Sequence, residues 1–332
     1  MAPQDIMQGD RAAVIAAAFR HALGLAFEQV GATAPNPTVG CVLLDASGGV
    51  LAAAAHLGAG KPHAEARAIQ LAREAGLVDR IATAIVTLEP CNHQGRTGPC
   101  TEAILGTSAT EVWYALPDPN LEASGGAARL RALGLRVFAL QELDHPDRAD
   151  LLTQARRLLA PFACRVRLGR PFVTVKQAID AAGSMIPPAG KKTFTGPEAL
   201  LMAHQLRRRA DAILTGSGTI LADRPDFTVR HLPDIAGKSR ILSVLDRRGR
   251  VDDEYLAQAR LRGFRPEICT DLMQALRGLA EAGCNEVLVE AGPQITEAVR
   301  ALGLWDEWVL IEKLPQGQSD RITITHNLHD GK

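Results

Sequence analysis

Aromatic residues are scarce in this chain, at 4% of 332 residues, and its formal net charge is zero because 37 Lys and Arg balance 37 Asp and Glu. Few aromatic residues beside abundant Ala and Leu argue against an all-β protein and favour helices packed on a sheet. A neutral chain lacks the field that attracts a phosphate backbone, so nucleic acid is not an expected partner. A dense basic run occurs at residues 207–209.

Long apolar runs are missing as well. No stretch reaches the ~20 residues that a membrane span requires, so no membrane partner is expected. Residues 12–19 are apolar, but Arg20 and His21 interrupt them. They predict a helix that continues to about residue 30, with Asp10 as its N-cap, rather than a signal peptide. The six cysteines, at 41, 91, 100, 164, 269 and 284, form no dense framework and predict reduced thiols in the cytoplasm.

Helical and strand patterns alternate through both halves of the sequence, which predicts sheets that helices cover on both faces. We predict two α/β domains, over residues 1–145 and 169–332, joined by a linker over 146–168. The predicted strands lie at 39–44, 50–55, 81–88, 111–115, 135–140, 172–179, 211–215, 240–245, 286–290 and 307–312. The predicted helices lie at 11–31, 63–75, 125–134, 149–159, 197–209, 271–282 and 293–302, and a further helix begins near residue 100.

The sharpest local pattern places His63 and Glu65 at the start of a predicted helix, Cys91 at a strand end and Cys100 at the start of another helix. A catalytic zinc takes three protein ligands and leaves one position for water. We therefore predict His63, Cys91 and Cys100 as zinc ligands, with Glu65 carrying a proton from water to a leaving amine. A His-x-Glu followed by Pro-Cys is the signature of zinc deaminases of nucleobase-like rings, although their two cysteines are usually two residues apart rather than eight.

The wide cysteine spacing is compatible with one metal ion if residues 92–99 loop out between the two sulfurs. Pro99 suits the start of a helix, and a helix N-terminus favours a thiolate at Cys100. Two other interpretations stay open. The residues can be unrelated, or the zinc can be purely structural, in which case a fourth ligand such as His93 is expected.

These stretches resemble the bifunctional riboflavin-biosynthesis deaminase–reductase family, within the wider cytidine-deaminase-like superfamily. The resemblance covers nearly all of residues 11–140, including the eight-residue cysteine gap with Gly-Arg-Thr inside it. It implies a cytidine-deaminase-like α/β/α domain and a diaminohydroxypyrimidine substrate that bears a ribosylamino phosphate. The matching stretches are 35–41 (PNPTVGC), 58–65 (GAGKPHAE), 87–97 (TLEPCNHQGRT), 99–100 (PC) and 118–120 (DPN).

Three polar residues acquire roles from this resemblance. Asn36, whose backbone is restricted by prolines on both sides, would hydrogen-bond the pyrimidine edge. His93 and Arg96, on the loop between the cysteines, would contact the ring and the phosphate. The plainer alternatives are a turn residue for Asn36 and a solvated loop for His93 and Arg96.

In the second half, glycine-rich turns at residues 216–219 and 291–293 follow predicted strands, where backbone N–H groups can approach phosphate. Each turn alone is an ordinary strand–turn–helix junction. The resemblance extends here to the family's dihydrofolate-reductase-like α/β domain, through 211–219 (DAILTGSGT), 222–223 (AD), 227–230 (FTVR) and 289–293 (VEAGP). The implied cofactor is NADPH, and its implied binding residues are Ala178, Thr219, Asp223 and Gly292. The implied substrate-binding residues are Arg207, Arg230 and Glu290, with the arginines on the phosphate.

The second half also departs from the family pattern. Lys176 and Gly183 are kept, but Asp180 stands at the position of a serine and Ala182 replaces an aspartate. Arg224 stands where a further aspartate is expected. The loop over 187–196 is altered and one residue shorter, the usual Gly-rich segment after residue 314 is missing, and residues 320–325 are what remains of the last strand.

The leading hypothesis is a two-step enzyme of riboflavin biosynthesis, in which deamination precedes NADPH-dependent reduction of a ribosyl to a ribityl chain. Three alternatives stay open: a deaminase whose second domain serves dimerisation or phosphate binding, a nucleic-acid base deaminase, and a non-enzymatic zinc-stabilised binding protein. Neutral charge and the long cysteine gap disfavour the nucleic-acid deaminase, and Glu65 disfavours the binding protein. The family resemblance further implies a homodimer.

Overall fold

The computed structural model of the chain describes residues 3–93, 98–186, 194–315 and 319–327, with side chains from residue 11 onward. The predicted site residue Arg96 lies outside these ranges. The chain divides into two compact units, Met1–Arg167 and Leu168–Lys332, and each is an α/β unit, which confirms the predicted fold class. Within the described ranges no helix combines the length and the apolarity that crossing a bilayer demands.

The centre of the first unit is a sheet of five strands, β1 (Gly40–Leu44), β2 (Val50–Ala55), β3 (Thr83–Leu88), β4 (Glu111–Leu116) and β5 (Arg136–Ala139). The strand order is β2-β1-β3-β4-β5. Strand β1 is antiparallel to both of its neighbours, whereas β3, β4 and β5 are mutually parallel. Every residue of β1 and β3 is buried, as expected for apolar strands that helices cover on both faces.

Five α-helices flank this sheet within the described residues: α1 (Pro3–Phe27), α2 (Ala64–Glu74), α3 (Cys100–Leu105), α4 (Gly126–Ala132) and α5 (Arg148–Leu168). Helices α1 and α5 contribute to the core on one face, for example through Phe19 and Leu151. Helices α2, α3 and α4 contribute to a second core, for example through Ile69 and Leu130. The predicted N-cap, Asp10, is wrong because α1 begins before it and contains it.

The segment predicted as a linker, 146–168, consists mostly of helix α5. Its side chains at Leu151, Ala155 and Leu158 lie in the core of the first unit, so this segment is part of that unit. Pro161 lies inside this helix without ending it. The division between the two units therefore falls after the helix rather than at the turn before it.

The second unit contains a sheet of seven strands, β6 (Phe172–Ile179), β7 (Ala212–Gly216), β8 (Arg240–Leu245), β9 (Phe264–Cys269), β10 (Glu286–Val289), β11 (Glu307–Glu312) and β12 (Arg321–His326). The strand order is β12-β11-β6-β10-β7-β8-β9. Only the pairing of β11 with β12 is antiparallel among these strands. The carboxyl ends of β6, β7, β8 and β10 consequently meet at one edge, where open α/β sheets bind ligands.

The helices of the second unit include α6 (Pro197–Arg209), α7 (Ser217–Asp223), α8 (Asp253–Leu261), α9 (Leu272–Glu281) and α10 (Pro293–Ala301). The sequence patterns missed α7, α8 and β9. Strand β9 contains Arg265, Pro266 and Glu267, which interrupt its apolar pattern. Proline is tolerated there because β9 is the outermost strand on its side of the sheet.

Candidate active sites

The three predicted zinc ligands come from three elements of the first unit. His63 is the N-cap residue of α2, Cys91 follows the end of β3, and Cys100 is the first residue of α3. The Nδ1 atom of His63 lies 3.6 Å from Sγ of Cys91 and 3.4 Å from Sγ of Cys100. All the ligand atoms of these residues lie within 4.8 Å of one another, and the described part of the chain holds no other such group.

These separations suit one zinc ion. Bond lengths of about 2.05 Å to nitrogen and about 2.3 Å to sulfur place the two ligand atoms about 3.6 Å apart at the tetrahedral angle. The two measured nitrogen–sulfur distances are 3.6 and 3.4 Å, so the three residues are not an unrelated set. No fourth ligand joins them among the described residues, which argues for an open catalytic position rather than a closed structural site.

Hydrogen bonding prepares one of the two sulfurs for a metal. The side chain of Cys100 and the His63 ring hydrogen-bond Cys91, and together with the backbone N–H of Cys100 they outweigh burial and lower the pKa of Cys91 to about 4. That backbone N–H, at the start of α3, lies 3.4 Å from the Cys91 sulfur. These contacts favour the thiolate form of Cys91, which is the form that binds metal.

Glu65 lies in the first turn of α2, beside the ligand group but not part of it. Its side chain is buried, and this burial, with the nearby Cys91 adding to it, raises the pKa of Glu65 to about 7. A carboxyl group with a pKa near the working pH can both accept and release a proton. The location and the pKa therefore fit the predicted role of Glu65 as proton carrier.

Asn36 is positioned beside the metal-ligand group by a histidine that the sequence patterns did not indicate. Nδ2 of Asn36 lies 3.0 Å from Nε2 of His56, and Nδ1 of His56 lies 3.0 Å from the carbonyl oxygen of Pro62. Because that carbonyl can only accept, Nδ1 of His56 donates to it and Nε2 accepts from Asn36. The His56 ring packs edge-on against His63, with centroids 5.3 Å apart. Burial lowers the pKa of His56 and keeps the ring neutral.

Asp118 lies close to Cys91 and to His93. Nδ1 of His93 is buried without a hydrogen-bond partner in the described part of the chain, so this nitrogen can serve a ligand. Burial raises the pKa of Asp118, and the charges of Glu89 and Cys91 add to that effect. Asp118 belongs to the matched stretch at 118–120, yet nothing in the sequence alone assigned it a role.

A carboxylate and a glycine shape the backbone next to Cys91. Glu89 accepts hydrogen bonds from the backbone N–H of Ala127, at 2.9 Å, and of Asp118, at 3.3 Å. These bonds tie the end of β3 to the start of α4. Gly126, the first residue of α4, approaches the carbonyl oxygen of Pro90 so closely that a Cβ would lie 1.8 Å from it. Pro90, the residue before Cys91, therefore requires a glycine at position 126.

Replacing Gly126 with Ala is expected to lower the free energy of unfolding of the first unit by about 1–3 kcal/mol, because the backbone at Pro90 must move. Urea denaturation in a Trp305→Phe/Trp308→Phe background, in which Trp113 is the remaining tryptophan, measures this change by fluorescence. Gly24→Ala is the matched control, since a Cβ at Gly24, inside α1, meets nothing within 4 Å. Equal stability of the two variants would contradict the close approach.

In the second unit, a buried carboxylate pairs with two cations. Glu290 follows β10 and accepts hydrogen bonds from Nε and Nη2 of Arg207, at 2.7 and 3.2 Å. Nζ of Lys176, on β6, lies 3.1 Å from the same carboxylate. Burial alone would raise the pKa of Glu290, but Arg207 and Lys176 outweigh it and lower the pKa to about 2. The structure thus brings together two predicted substrate residues and adds Lys176 to them.

The third predicted substrate residue is Arg230. The chain segment just before it contacts this cluster. Nη1 of Arg207 donates to the carbonyl oxygen of Thr228, at 3.3 Å. The backbone N–H of Arg230 donates to Nδ1 of the buried His204, at 3.1 Å, and its exposed guanidinium pairs with Asp226 at 3.0 Å. The burial of His204 and the neighbouring Arg207 lower the pKa of His204 to about 4, so the ring accepts this hydrogen bond in its neutral form.

Two of the predicted cofactor residues meet at the carboxyl edge of the sheet. Oγ1 of Thr219, on α7, accepts a hydrogen bond of 3.1 Å from the backbone N–H of Gly292, the N-cap residue of α10. Asp223 is the exposed last residue of α7, and Ala178 lies on β6 with its side chain against the core. A cleft of about 470 Å³ adjoins these positions, and its lining includes Gln177, Ser184, Met185, Pro293, Thr296 and Arg300.

The residues that depart from the family pattern have local structural partners. Oδ1 of Asp180 accepts from the backbone N–H groups of Ala182, at 2.9 Å, and Ser184, at 2.8 Å, and so closes the turn after β6. Arg224 has a left-handed backbone with φ of 40° and donates to both carboxylate oxygens of Asp252, the N-cap of α8. Asp180 therefore stabilises the turn after β6, and Arg224 pairs with the N-cap residue of α8.

Comparison with known proteins matches each half to a family. Residues 15–116 match the cytidine and deoxycytidylate deaminase zinc-binding region, and residues 171–312 match the RibD C-terminal domain. The riboflavin biosynthesis protein RibD of Corynebacterium ammoniagenes is 34% identical over 306 residues, which cover 92% of this chain and 87% of that protein. RibD of Escherichia coli K12 is 31% identical over 323 residues, covering 87% of this chain and 84% of that protein.

Solved structures agree with this assignment. Acinetobacter baumannii RibD matches with a TM-score of 0.77 at 29% identity, over 93% of this chain and 90% of that one. A diaminohydroxyphosphoribosylaminopyrimidine deaminase/5-amino-6-(5-phosphoribosylamino)uracil reductase from Thermotoga maritima matches with a TM-score of 0.79 at 27% identity, over 93% and 89% of the two chains. The chain therefore belongs to the RibD family of riboflavin-biosynthesis enzymes, and it joins a zinc-binding deaminase domain to a reductase domain that uses NADPH.

Proposed function

We propose that this enzyme acts twice on one small molecule. The first unit hydrolytically deaminates 2,5-diamino-6-(5-phosphoribosylamino)pyrimidin-4(3H)-one, and the second reduces the ribosyl group of the product to a ribityl chain with NADPH. The observation that carries the first step is the ligand group of His63, Cys91 and Cys100, with its atoms within 4.8 Å of one another and the buried Glu65 beside it. The Thermotoga maritima relative is named as a diaminohydroxyphosphoribosylaminopyrimidine deaminase and a 5-amino-6-(5-phosphoribosylamino)uracil reductase, which supports this pair of reactions.

In the deamination, Glu65 moves the protons. Zinc, when held by His63, Cys91 and Cys100, supplies the Lewis acidity that makes water a nucleophile at neutral pH. Glu65 accepts a proton from that water as its oxygen bonds to the amine-bearing ring carbon. Glu65 then delivers a proton to the exocyclic nitrogen, whose bond to the ring breaks as ammonia leaves. A pKa of about 7 suits both transfers.

In this proposal Asn36, oriented by His56, holds the edge of the pyrimidine ring, His93 contacts the ring, and Arg96 binds the phosphate. A hydrogen bond between uncharged groups contributes about 0.5–1.5 kcal/mol. We therefore expect Asn36→Ala to lower kcat/KM for ammonia release by about 2- to 10-fold, mainly through KM. Asn327→Ala, in the second unit, is the control. An unchanged KM would remove Asn36 from the binding site.

In the reduction we propose that the cluster of Lys176, Arg207 and Glu290 holds the sugar and that Arg207 and Arg230 bind its phosphate. Thr219, Asp223, Gly292 and Ala178 mark the NADPH site at the carboxyl edge of the sheet. The loop after β8 adds positive charge there. The buried Asp246 accepts from the backbone N–H groups of Arg250, at 2.6 Å, and Arg248. The Arg250 side chain donates to Ser217 at 2.9 Å.

The decisive assay follows both products in one reaction. Full-length enzyme with the diaminopyrimidine phosphate should release ammonia and then consume NADPH in equal amounts. Ammonia release without NADPH oxidation would favour the second candidate, a deaminase whose second unit does not catalyse. The substitutions at Asp180, Ala182 and Arg224 motivate that candidate. Deamination of bases in RNA or DNA would favour a nucleic-acid deaminase, against which the zero net charge argues.

We further propose that the enzyme is a cytoplasmic homodimer. Free cysteines and the absence of a membrane-spanning helix within the described ranges are consistent with the cytoplasm. The dimer is proposed from the family alone. Light scattering after gel filtration distinguishes a mass near 35.4 kDa from twice that value.

A further inference from the structure

The eight residues between Cys91 and Cys100 do not by themselves fix the distance between the two sulfurs. In a C-x-x-C site the two intervening residues form a tight turn that holds both sulfurs near one point. An eight-residue loop has many more conformations, and closing it costs more entropy. The His63, Cys91 and Cys100 ligand atoms nevertheless lie within 4.8 Å of one another. Other contacts must therefore hold the two ends of the loop together.

Those contacts join the residues that directly follow the two cysteines. Oγ1 of Thr101 donates a hydrogen bond of 3.2 Å to Oδ1 of Asn92. In the backbone, the N–H of Thr101 donates to the carbonyl oxygen of Cys91 at 3.3 Å. Thr101 is fully buried, so water does not compete for its hydroxyl. The first residue after each sulfur ligand is thus tied directly to its counterpart.

Helix α4 contacts this pair through Arg129. Nη1 of Arg129 donates a hydrogen bond of 2.9 Å to the same Oδ1 atom of Asn92, and Nη2 of Arg129 contacts the carboxylate of Glu102 on α3. The backbone N–H of Asn92 donates 3.0 Å to the carbonyl oxygen of Ala123, just before α4. Oδ1 of Asn92 therefore accepts two hydrogen bonds. One comes from Thr101, which follows Cys100, and the other comes from Arg129 on α4.

We propose that Asn92, Thr101 and Arg129 form a clasp that retains the zinc, by fixing the separation of the two sulfurs that a two-residue turn fixes in C-x-x-C sites. These three are positioning residues, since they act through Cys91 and Cys100. The clasp rests on the zinc site of the proposed deaminase but not on the identity of its substrate. Loss of the clasp frees the loop ends, so the metal leaves faster and its geometry becomes less regular.

Thr101→Val tests the clasp most directly, because it removes the hydroxyl and keeps the shape. We expect zinc transfer from the full-length enzyme to excess ethylenediaminetetraacetate to become about 10- to 100-fold faster, as for other residues that orient metal ligands. Thr101→Ser, which keeps the hydroxyl, should restore slow release. In cobalt-substituted enzyme, Thr101→Val should weaken and shift the absorption bands of the thiolate–cobalt centre, whereas Thr101→Ser should leave them as in the unmodified enzyme.

Arg129→Met provides a second, partly exposed site, so the test does not depend on a core substitution. Its matched control is Arg131→Met on the same helix, because within the described part of the chain the Arg131 side chain donates to the carbonyl oxygen of Val137 and not to the residues beside the cysteines. Arg129→Met should speed zinc release several-fold and Arg131→Met should not. The double variant Asn92→Ala/Thr101→Val should release zinc no faster than Asn92→Ala alone, because Asn92→Ala already removes the hydrogen bond that Thr101 makes.

Zinc release from Thr101→Val and Arg129→Met within twofold of the unmodified enzyme would overturn the clasp. Equal acceleration by Arg129→Met and Arg131→Met would also overturn it, because the effect would then be general to α4. These measurements use no substrate. If zinc behaves as expected but no ammonia is released from the pyrimidine phosphate, the clasp stands and the substrate proposal fails.

Discussion

Enzyme in which Glu65 is replaced by Gln is expected to contain as much zinc as the unmodified protein and to release ammonia about 10²- to 10⁴-fold more slowly. The amide has the size of the carboxyl group but cannot carry a proton from water to the leaving nitrogen. Zinc content is unaffected because the ligand atoms come from His63, Cys91 and Cys100. Metal analysis and the rate of ammonia release at saturating substrate measure the two quantities.

Glu74→Gln is the control for this variant, since Glu74 ends the same helix and is exposed. It should retain full activity. Full ammonia release by Glu65→Gln would show that another group carries the proton. Loss of zinc from Glu65→Gln alone would show that the carboxylate supports the metal rather than the reaction.

The second large effect concerns the buried carboxylate of the second unit. Replacing Glu290 with Gln leaves Lys176 and Arg207 facing a neutral amide, with side chains 22% and 14% exposed. Removing one partner of a buried ion pair typically costs about 3–5 kcal/mol. We expect a loss of that size in the free energy of unfolding of the second unit, together with loss of NADPH oxidation because the sugar-binding cluster is broken.

Denaturation in a Trp113→Phe background isolates this change, because the remaining tryptophans, Trp305 and Trp308, both lie in the second unit. Glu281→Gln, at the exposed end of α9, serves as the control and should be neutral. Unchanged stability of Glu290→Gln would show that the three charges do not depend on one another. Unchanged NADPH oxidation would remove Glu290 from the substrate site.

The ion pairs of Glu290 with Arg207 and Lys176 also make the free energy of unfolding depend on pH, with a definite sign. The pKa of Glu290 is lowered from 4.5 to about 2 in the folded protein, so the folded state binds its proton less readily than the unfolded state. The stabilisation by Glu290 is therefore complete above about pH 4.5 and is lost as the pH falls toward 2. The difference in unfolding free energy between the unmodified enzyme and Glu290→Gln should be constant above that range and shrink within it.

Much of the zinc site could be predicted because its residues lie at the ends of strongly patterned elements. His63 and Glu65 begin α2, and Cys100 begins α3, so the helical periodicity that places the helices also places these side chains. The long gap between the cysteines left open whether they share a metal. The short distances from His63 to the two sulfurs favour a shared metal, and no local sequence pattern predicts them.

Residues that meet only through strand pairing could not be predicted. Lys176 and Glu290 are far apart in the chain, but Val175 of β6 is in register with Val289 of β10, which brings the following residues side by side. Asp118 and Glu89 meet because β3 and β4 are parallel neighbours, with Leu88 opposite Leu116. His56 lies at the site for the same reason, because it directly follows β2, which pairs with β1.

The two α/β halves follow from the amino-acid sequence alone, which also predicts three zinc ligands and a proton carrier, because hydrophobic periodicity and short motifs act over a few turns or strands. Only the tertiary structure decided which elements share a core, which strands are neighbours and which charges meet in pairs. Strand order and register are set by the packing of whole faces rather than by local residues, and for this reason α5 proved part of the first unit and Lys176 proved a partner of Glu290.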